Sequence, residues 1–228
     1  RLDRLGERRS LLKTFDHLDR SLDASGGMQG LDSFDGQAFD LILSRARQVF
    51  DVSREDPRVR DRYGRGLGEQ LLLARRLCEA GVGFVTIHFG GWDMHGQIVP
   101  GLKQLCPQVD HAVPVLLNDL ADRGLDREIL LVITGEFGRT PRVNGGAGRD
   151  HWAPLSTLAL AGGGLRMGQV IGESSSKAEM PKSVPISPQD LMATVFHVLG
   201  LPLDLHYTDP TGRPTPMVDG GKPIAELV

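Results

Sequence analysis

The sequence predicts an α/β fold in which a largely parallel sheet is flanked by helices. Three continuous apolar runs, at residues 82–89, 129–134 and 155–161, have the composition of strands that are buried on both faces. Stretches with the apolar spacing of helices separate these runs, and an alternation of strand and helix is typical of parallel sheets. Glycine-rich loops that carry carboxylates and histidines adjoin each run.

The composition is that of an ordinary globular chain and restricts the partners to be considered. With 228 residues, of which 40% are hydrophobic and 24% charged, the chain can form one substantial core. A formal net charge of -3 and scattered arginines give no reason to expect nucleic acid or an anionic membrane as partner. Cys78 and Cys106 form neither a disulfide framework nor a thiolate zinc motif. No apolar run approaches the roughly 20 residues of a membrane span, and no signal peptide follows Arg1.

The first 62 residues are predicted to form a helical lead-in. Apolar residues at spacings near three and four predict one helix over residues 1–22 and a second over residues 35–50. A third helix is predicted over residues 69–80, where Gly81 can end it. The glycines at 64, 66 and 68 do not indicate a phosphate loop, because no strand precedes them.

Two further helices are predicted between the apolar runs and the tail. One covers residues 109–123, where Pro114 should either kink it or begin a new first turn. The other has a cap at Ser187, proline at its first position and an acid three residues after the cap, and should end at Leu199. Residues 63–200 are therefore predicted to be the α/β core of a single domain, with a polar excursion at 173–187 that could border a pocket. Residues 201–228 are predicted to be an extended tail whose last five residues dock on the domain.

The loop after the first apolar run carries two candidate metal ligands, Asp93 and His95. Residues two apart on an extended segment point to opposite sides, but the glycines around this pair allow an irregular loop that brings both to one ion. The alternative is an aspartate that caps a turn and a histidine that hydrogen-bonds to it. His88 lies inside the apolar run and is predicted to be a core histidine.

Two later loops carry the remaining candidates. Glu136 follows the second apolar run, where it could bind a metal or form a structural ion pair with Arg139. Asp150 and His151 precede the third run; the alternative there is a turn-forming aspartate and an exposed histidine. Oxygen and nitrogen ligands from several segments can converge on one ion. Arg139 and Arg149 could hold an oxyanion by bidentate hydrogen bonds.

Six stretches of the sequence together resemble the bacterial domain-of-unknown-function family 1501 (DUF1501), and the resemblance covers nearly the whole chain. They are Tyr63-Gly, Leu73-Ala-Arg-Arg-Leu77, Gly91-Trp-Asp-Met-His95, Gly135-Glu-Phe-Gly-Arg-Thr-Pro141 with Gly148-Arg-Asp-His-Trp152, and Gly212-Arg-Pro214. The family resembles a branch of the alkaline phosphatase superfamily, which includes phosphatases, sulfatases and cofactor-independent phosphoglycerate mutases.

This resemblance implies an alkaline phosphatase-like fold that is incomplete at its amino end, as the carboxyl-terminal part of an exported or periplasmic protein. Asp93 and His95 look like the first ligand pair of the superfamily, Glu136 like its strand-end acid and His151 like its downstream histidine. Phe137 stands where the superfamily has a histidine for a second metal, so one or two ions, zinc or manganese, are expected.

Two functions follow from these observations. The first is a metal-dependent hydrolase for the phosphate or sulfate ester of a small molecule or glycan. Its metal ligands would come from Asp93, His95, Glu136, Asp150 and His151, with Arg139 and Arg149 stabilising the anion and the nucleophile outside this segment. The second is an exported binding or scaffold module that performs no chemistry and holds at most one structural metal. An oxidoreductase is set aside because no dinucleotide fingerprint is present.

Overall fold

The structure is a computed structural model, and it describes residues 46–228 without a break. It also describes eight earlier positions: Glu7, Ser10, Leu11, Thr14, Phe15, Ser33, Phe34 and Gly36. The first five of these positions fall within the helix predicted over residues 1–22 and are helical. The rest of that helix and most of the one predicted over 35–50 lie outside the described residues. The chain divides into two compact units, Arg1–Asp56 and Pro57–Val228.

The described part of the first unit consists of one short helix and one turn of 3-10 helix. Helix α1 is Ala46–Phe50, which agrees with the end of the helix predicted over 35–50. The turn Val52–Arg54 follows, and the side chain of Asp51 caps it by accepting the Ser53 N–H.

The second unit begins with three helices whose apolar faces form a core. Helix α2 is Pro57–Tyr63, α3 is Leu67–Glu79 and α4 is Ile98–Asp122. The prediction of a helix over 69–80 is thus confirmed to within two residues. The apolar side chains of these helices that are less than 9% exposed are Tyr63, Leu67, Leu71, Leu72, Ala112, Leu116 and Leu120.

Helix α4 is much longer than predicted. It begins at Ile98 instead of residue 109 and continues through Pro107 and Pro114. Each proline removes one backbone hydrogen bond, but the helix continues, and its buried residues Ala112 and Leu116 pack on either side of Pro114. Although α4 has 25 residues, none of the helices within residues 46–228 combines the length and the apolar character needed to cross a membrane.

A buried polar network joins α2, α3 and α4. The carboxylate of Asp119, 3% exposed, accepts a hydrogen bond from the Tyr63 hydroxyl at 2.8 Å and lies 3.1 Å from Nε of Arg75, which is 2% exposed. Arg123 Nε donates to the same carboxylate at 2.9 Å, and Arg75 also pairs with Glu79. Burial and the Asp119 carboxylate raise the pKa of Tyr63 well above its ordinary value. Because charged groups are costly to bury without partners, the contacts of this network offset the cost of burying Arg75 and Asp119 between the three helices.

The prediction of a largely parallel sheet is wrong. The strands in the described part of the chain form three separate two-stranded sheets, all antiparallel. Strand β1 (Leu130–Ile133) pairs with β4 (Ala159–Gly162), and β2 (Gly138–Arg139) pairs with β3 (His151–Trp152). An apolar run predicts that a strand would be buried by its neighbours. Whether that strand pairs in the parallel or the antiparallel direction depends on the path of the chain that connects it to its partner.

The first apolar run, residues 82–89, is not a strand. The segment lies in neither a helix nor a strand, no strand among the described residues pairs with it, and Val82 and Phe84 are 41% and 68% exposed. The prediction that His88 is a core histidine is likewise wrong, because its side chain is exposed. High β-propensity makes a segment extended, but a strand also requires a neighbour that satisfies its backbone N–H and C=O groups.

The carboxyl-terminal part of the chain combines one helix with a docked tail. Helix α5 (Pro188–Val198) begins with the predicted cap: Ser187 accepts the Asp190 N–H, and the Asp190 carboxylate accepts the Ser187 N–H. Strands β5 (His206–Thr208) and β6 (Pro214–Pro216) then form a hairpin. Ile224 is 6% exposed, and its N–H donates to the buried Thr194 hydroxyl of α5, which confirms that the end of the chain docks.

Candidate metal centre

Three backbone segments, residues 93–98, 138–140 and 144–152, are hydrogen-bonded side by side and carry the predicted site. Arg149 N–H donates to Met94 C=O at 3.0 Å, and the N–H groups of Gln97 and Ile98 donate to the carbonyls of residues 146 and 147. On the other side of the same segment, the N–H of residue 140 donates to Asp150 C=O at 2.9 Å. A Cβ at Gly148 would collide with the backbone of residues 95 and 96, so this close approach requires glycine.

Asn144 links two of these segments through its side chain. Its amide nitrogen donates to His95 C=O at 3.0 Å and to Asp150 Oδ1 at 3.1 Å. Its amide oxygen accepts the N–H of Gly146 at 2.9 Å and of Gly148 at 3.0 Å. The Asn144 side chain therefore connects the glycine loop at 145–148 to the backbone of His95 and to the carboxylate of Asp150.

Asp93, His95 and His151 lie together, each contributing one ligand atom to a cluster that could hold a metal ion. Asp93 Oδ1 is 3.0 Å from His95 Nε2 and 3.0 Å from His151 Nε2, and the two Nε2 atoms are 3.2 Å apart. All three side chains are accessible, at 64% for Asp93 and 49% for each histidine. Three atoms with lone pairs this close repel one another unless a proton or a cation lies between them.

Asp150 lies behind His95 and outside this cluster. Its Oδ1 is 2.7 Å from His95 Nδ1, the ring nitrogen that does not face Asp93. Hydrogen bonds from His95 and Asn144 lower the pKa of Asp150. A carboxylate in this position favours the tautomer with the proton on Nδ1 and a free lone pair on Nε2, which is the form that binds metals.

Arg139 contacts the cluster from the neighbouring strand. Arg139 and His151 are cross-strand partners of β2 and β3, so their side chains lie on one face of the pair. Both reach Asp93: Arg139 Nη2 is 2.6 Å and His151 Nε2 3.0 Å from Oδ1. Hydrogen bonds from His151 and Arg139 lower the pKa of Asp93 to about 2. Asp93 is therefore ionised at neutral pH.

Besides Asp150, two further residues of the predicted site lie apart from the cluster. Glu136 is exposed in the loop between β1 and β2, and its carboxylate is not among the clustered ligand atoms. The ion pair predicted as its alternative is not formed either, because Arg139 pairs with Asp93. Arg149 Nη1 donates to Thr140 C=O at 3.0 Å, a contact within the loop backbone. Phe137 packs on His151, with ring centroids 4.4 Å apart.

The polar excursion is tied to the strand that carries His151. Trp152 Nε1 donates to Glu179 C=O at 2.8 Å. Within the excursion, Ser174 and Pro181 form a β-bridge, and Lys182 pairs with Glu173 at 2.7 Å. The excursion therefore adjoins the candidate site through Trp152, next to His151.

Sequence reasoning assigned no role to Asn144. The available signal is the Asn-Gly-Gly sequence itself, since asparagine often accepts a backbone N–H two residues further on. That signal predicts a turn. The contacts of Asn144 with His95 and Asp150 depend on long-range pairing of the loops, which has no local signature.

Comparison with known proteins identifies the family of this chain. A family model described as "Protein of unknown function (DUF1501)" matches residues 3–228. No curated protein and no solved structure matches the chain.

Proposed function

The chain belongs to the DUF1501 family of proteins of unknown function, and we propose that it is a metal-dependent hydrolase for a phosphate or sulfate ester. The observation that carries this proposal is the triangle formed by Asp93 Oδ1, His95 Nε2 and His151 Nε2. A relationship to the alkaline phosphatase superfamily is part of the proposal. It rests on the order of these residues and Glu136 along the chain, and not on the arrangement of the strands.

The size and chemistry of the triangle fit a metal ion. Its edges are 3.0, 3.0 and 3.2 Å, and ligand atoms about 2.0–2.2 Å from a shared ion lie roughly 3.0–3.5 Å apart. Two imidazoles and one carboxylate suit zinc better than an ion that prefers oxygen ligands alone. Of the described residues, one cluster has this composition, which favours one ion.

A bound ion would polarise an ester oxygen and lower the pKa of a bound water. The protein would contribute the orientation and charge of the ligands. Asp93 is anionic at neutral pH, as an ordinary aspartate is, and hydrogen bonds from His151 and Arg139 lower its pKa further, to about 2. Asp150 and Asn144 hold the His95 ring, with Nε2 directed at Asp93. The exposure of the ligands leaves room for the ester group to approach.

Arg139 would stabilise the negative charge of the ester group. Its guanidinium is the one that contacts the cluster, whereas Arg149 contacts the loop backbone. Planar guanidinium groups bind phosphate and sulfate oxygens through two parallel hydrogen bonds, which are strongest where water is partly excluded. Arg139 is 22% exposed, so it is partly shielded from water.

A second candidate function is an exported, non-catalytic binding or scaffold module that holds one structural ion. One observation favours it. Phe137 stands where the alkaline phosphatase superfamily has a histidine for a second metal, and its ring packs on His151, with ring centroids 4.4 Å apart. A metal-loaded protein that binds inorganic phosphate but hydrolyses no aryl phosphate or aryl sulfate would support this second function.

Metal content tests the metal site on which the proposal depends. We expect purified protein equilibrated with zinc and then desalted to retain about one ion, and His95→Ala and His151→Ala to lose it. His197→Ala, which removes an exposed histidine of α5, should retain the ion and serves as the matched control. Circular dichroism verifies that each variant is folded. A folded wild-type protein without stoichiometric zinc or manganese would exclude the metal-dependent hydrolase.

A further inference from the structure

We propose that a metal ion and Arg139 compete for the Asp93 carboxylate, so that metal binding releases the Arg139 guanidinium to hold the anionic group of a ligand. This inference rests on the proposed function and adds a coupling between its two binding events. Arg139 thereby has a different role from the metal ligands Asp93, His95 and His151. Removal of a ligand weakens metal binding, whereas removal of Arg139 should strengthen it.

The competition follows from the use of one oxygen by two cations. Arg139 Nη2 is 2.6 Å from Asp93 Oδ1, the oxygen that also lies 3.0 Å from both histidine Nε2 atoms. Arginine stays charged at all accessible pH values, so it cannot give way by losing a proton. A divalent ion at this oxygen would repel the guanidinium, because like charges a few ångströms apart interact unfavourably even at high effective dielectric.

Arg139 has the freedom to move and would remain close to the site. Apart from Asp93, its guanidinium makes one long hydrogen bond among the described residues, from Nη1 to Arg149 C=O at 3.4 Å. Its backbone, by contrast, is held in register opposite His151. A guanidinium displaced from Asp93 therefore stays beside the metal ligands, where its donors lack their anionic partner.

Metal and anion should consequently bind cooperatively. An anion at the site would replace Asp93 as the partner of Arg139 and so favour the metal-bound form. By linkage, the anion must raise metal affinity by the same factor by which the metal raises anion affinity. Arg139→Gln removes both the competitor for Asp93 and the donor for the anion, and it should abolish most of this coupling.

The test measures zinc affinity by competition with a chelating indicator, with and without inorganic phosphate. The variants are Arg139→Gln, Arg139→Lys and Arg142→Gln; the last removes the same charge from an exposed side chain three residues away. Without phosphate, we expect Arg139→Gln to bind zinc roughly threefold to tenfold more tightly than wild type. Arg139→Lys should show a smaller increase because it keeps the charge but loses the planar fork. Arg142→Gln should match wild type within about twofold, because exposed charges without a close partner contribute little.

Phosphate provides the second measurement. It should raise the zinc affinity of wild type and Arg142→Gln, and raise that of Arg139→Gln several-fold less. Zinc binding by Arg139→Gln that is equal to or weaker than wild type would overturn the inference while leaving the metal site intact. So would an equal effect of phosphate on all four proteins. If wild type binds no zinc, the proposed function and this inference both fail.

Discussion

Replacing Asp150 by asparagine should weaken zinc binding about tenfold without abolishing it. Asp150 Oδ1 is 2.7 Å from His95 Nδ1, and Asn144 holds the same oxygen at 3.1 Å. Loss of such a hydrogen-bond partner of a metal-bound histidine typically costs ~10–100-fold in metal affinity. The Asp150 side chain is 52% exposed, so solvent screens the interaction and places the expected effect near the lower limit.

The size of the effect separates two roles for this residue. If Asp150 binds the metal directly, as the sequence suggested, then Asp150→Asn should approach the near-complete loss expected for His95→Ala. The assay is zinc affinity by indicator competition at neutral pH, beside Asp126→Asn as a control at an exposed turn. An unchanged affinity in folded Asp150→Asn, or a loss as large as that of His95→Ala, would refute the assignment of Asp150 as the residue that orients His95.

Three further predictions concern stability and the loop beside the site. Asp119→Ala should lower the free energy of unfolding by about 1–3 kcal/mol, since it removes the acceptor of the buried Tyr63 hydroxyl and of Arg75 Nε while Arg75 stays paired with Glu79. Tyr63→Phe should lower it by about 1–2 kcal/mol; similar urea midpoints for both variants and wild type would contradict this. Asp190 has a lowered pKa because Ser187 and Lys222 hydrogen-bond to its carboxylate. Its contribution to stability is therefore present above pH 3.8 and lost as the pH falls through the lowered value. The difference in urea midpoint between wild type and Asp190→Asn should accordingly shrink between pH 7 and pH 3, and a constant difference would be inconsistent with this reasoning. Trp152→Phe removes the hydrogen bond to Glu179 C=O and should accelerate tryptic cleavage after Lys177 roughly twofold to tenfold; equal rates would show that this bond does not hold the loop.

Helices with local signals were predictable from the sequence. The cap of α5 needs only Ser187, Pro188 and Asp190, which lie within one turn, and the structure has both hydrogen bonds of the capping box. The start of α4 was not predicted because its N-cap residue, Gln97, makes no side-chain capping hydrogen bond and therefore leaves no capping signal in the sequence. Its backbone has a positive φ of 50°. Pro114 also suggested an interruption, which the packing of Ala112 and Leu116 on either side of it prevents.

The pairing of strands was not predictable in the same way. The run at 129–134 is a strand, but its partner β4 runs antiparallel to it, and the equally apolar run at 82–89 has no partner among the described residues. Composition reports how well a segment fits a covered, extended conformation. It contains no information on which backbone lies beside it or in which direction.

For the candidate site, the sequence alone identified the residue types and loops, including Asp93, His95 and His151. Their possible role as metal ligands remains a prediction. In the tertiary structure these three side chains lie together, and Asp150 hydrogen-bonds to His95 from outside the cluster. Glu136 also lies outside the cluster, and Arg139 forms an ion pair with Asp93. Ligand chemistry belongs to individual side chains and is visible in the sequence. Contacts over separations of 55 to 58 residues are set by the packing of loops, for which no single stretch of sequence has a signal.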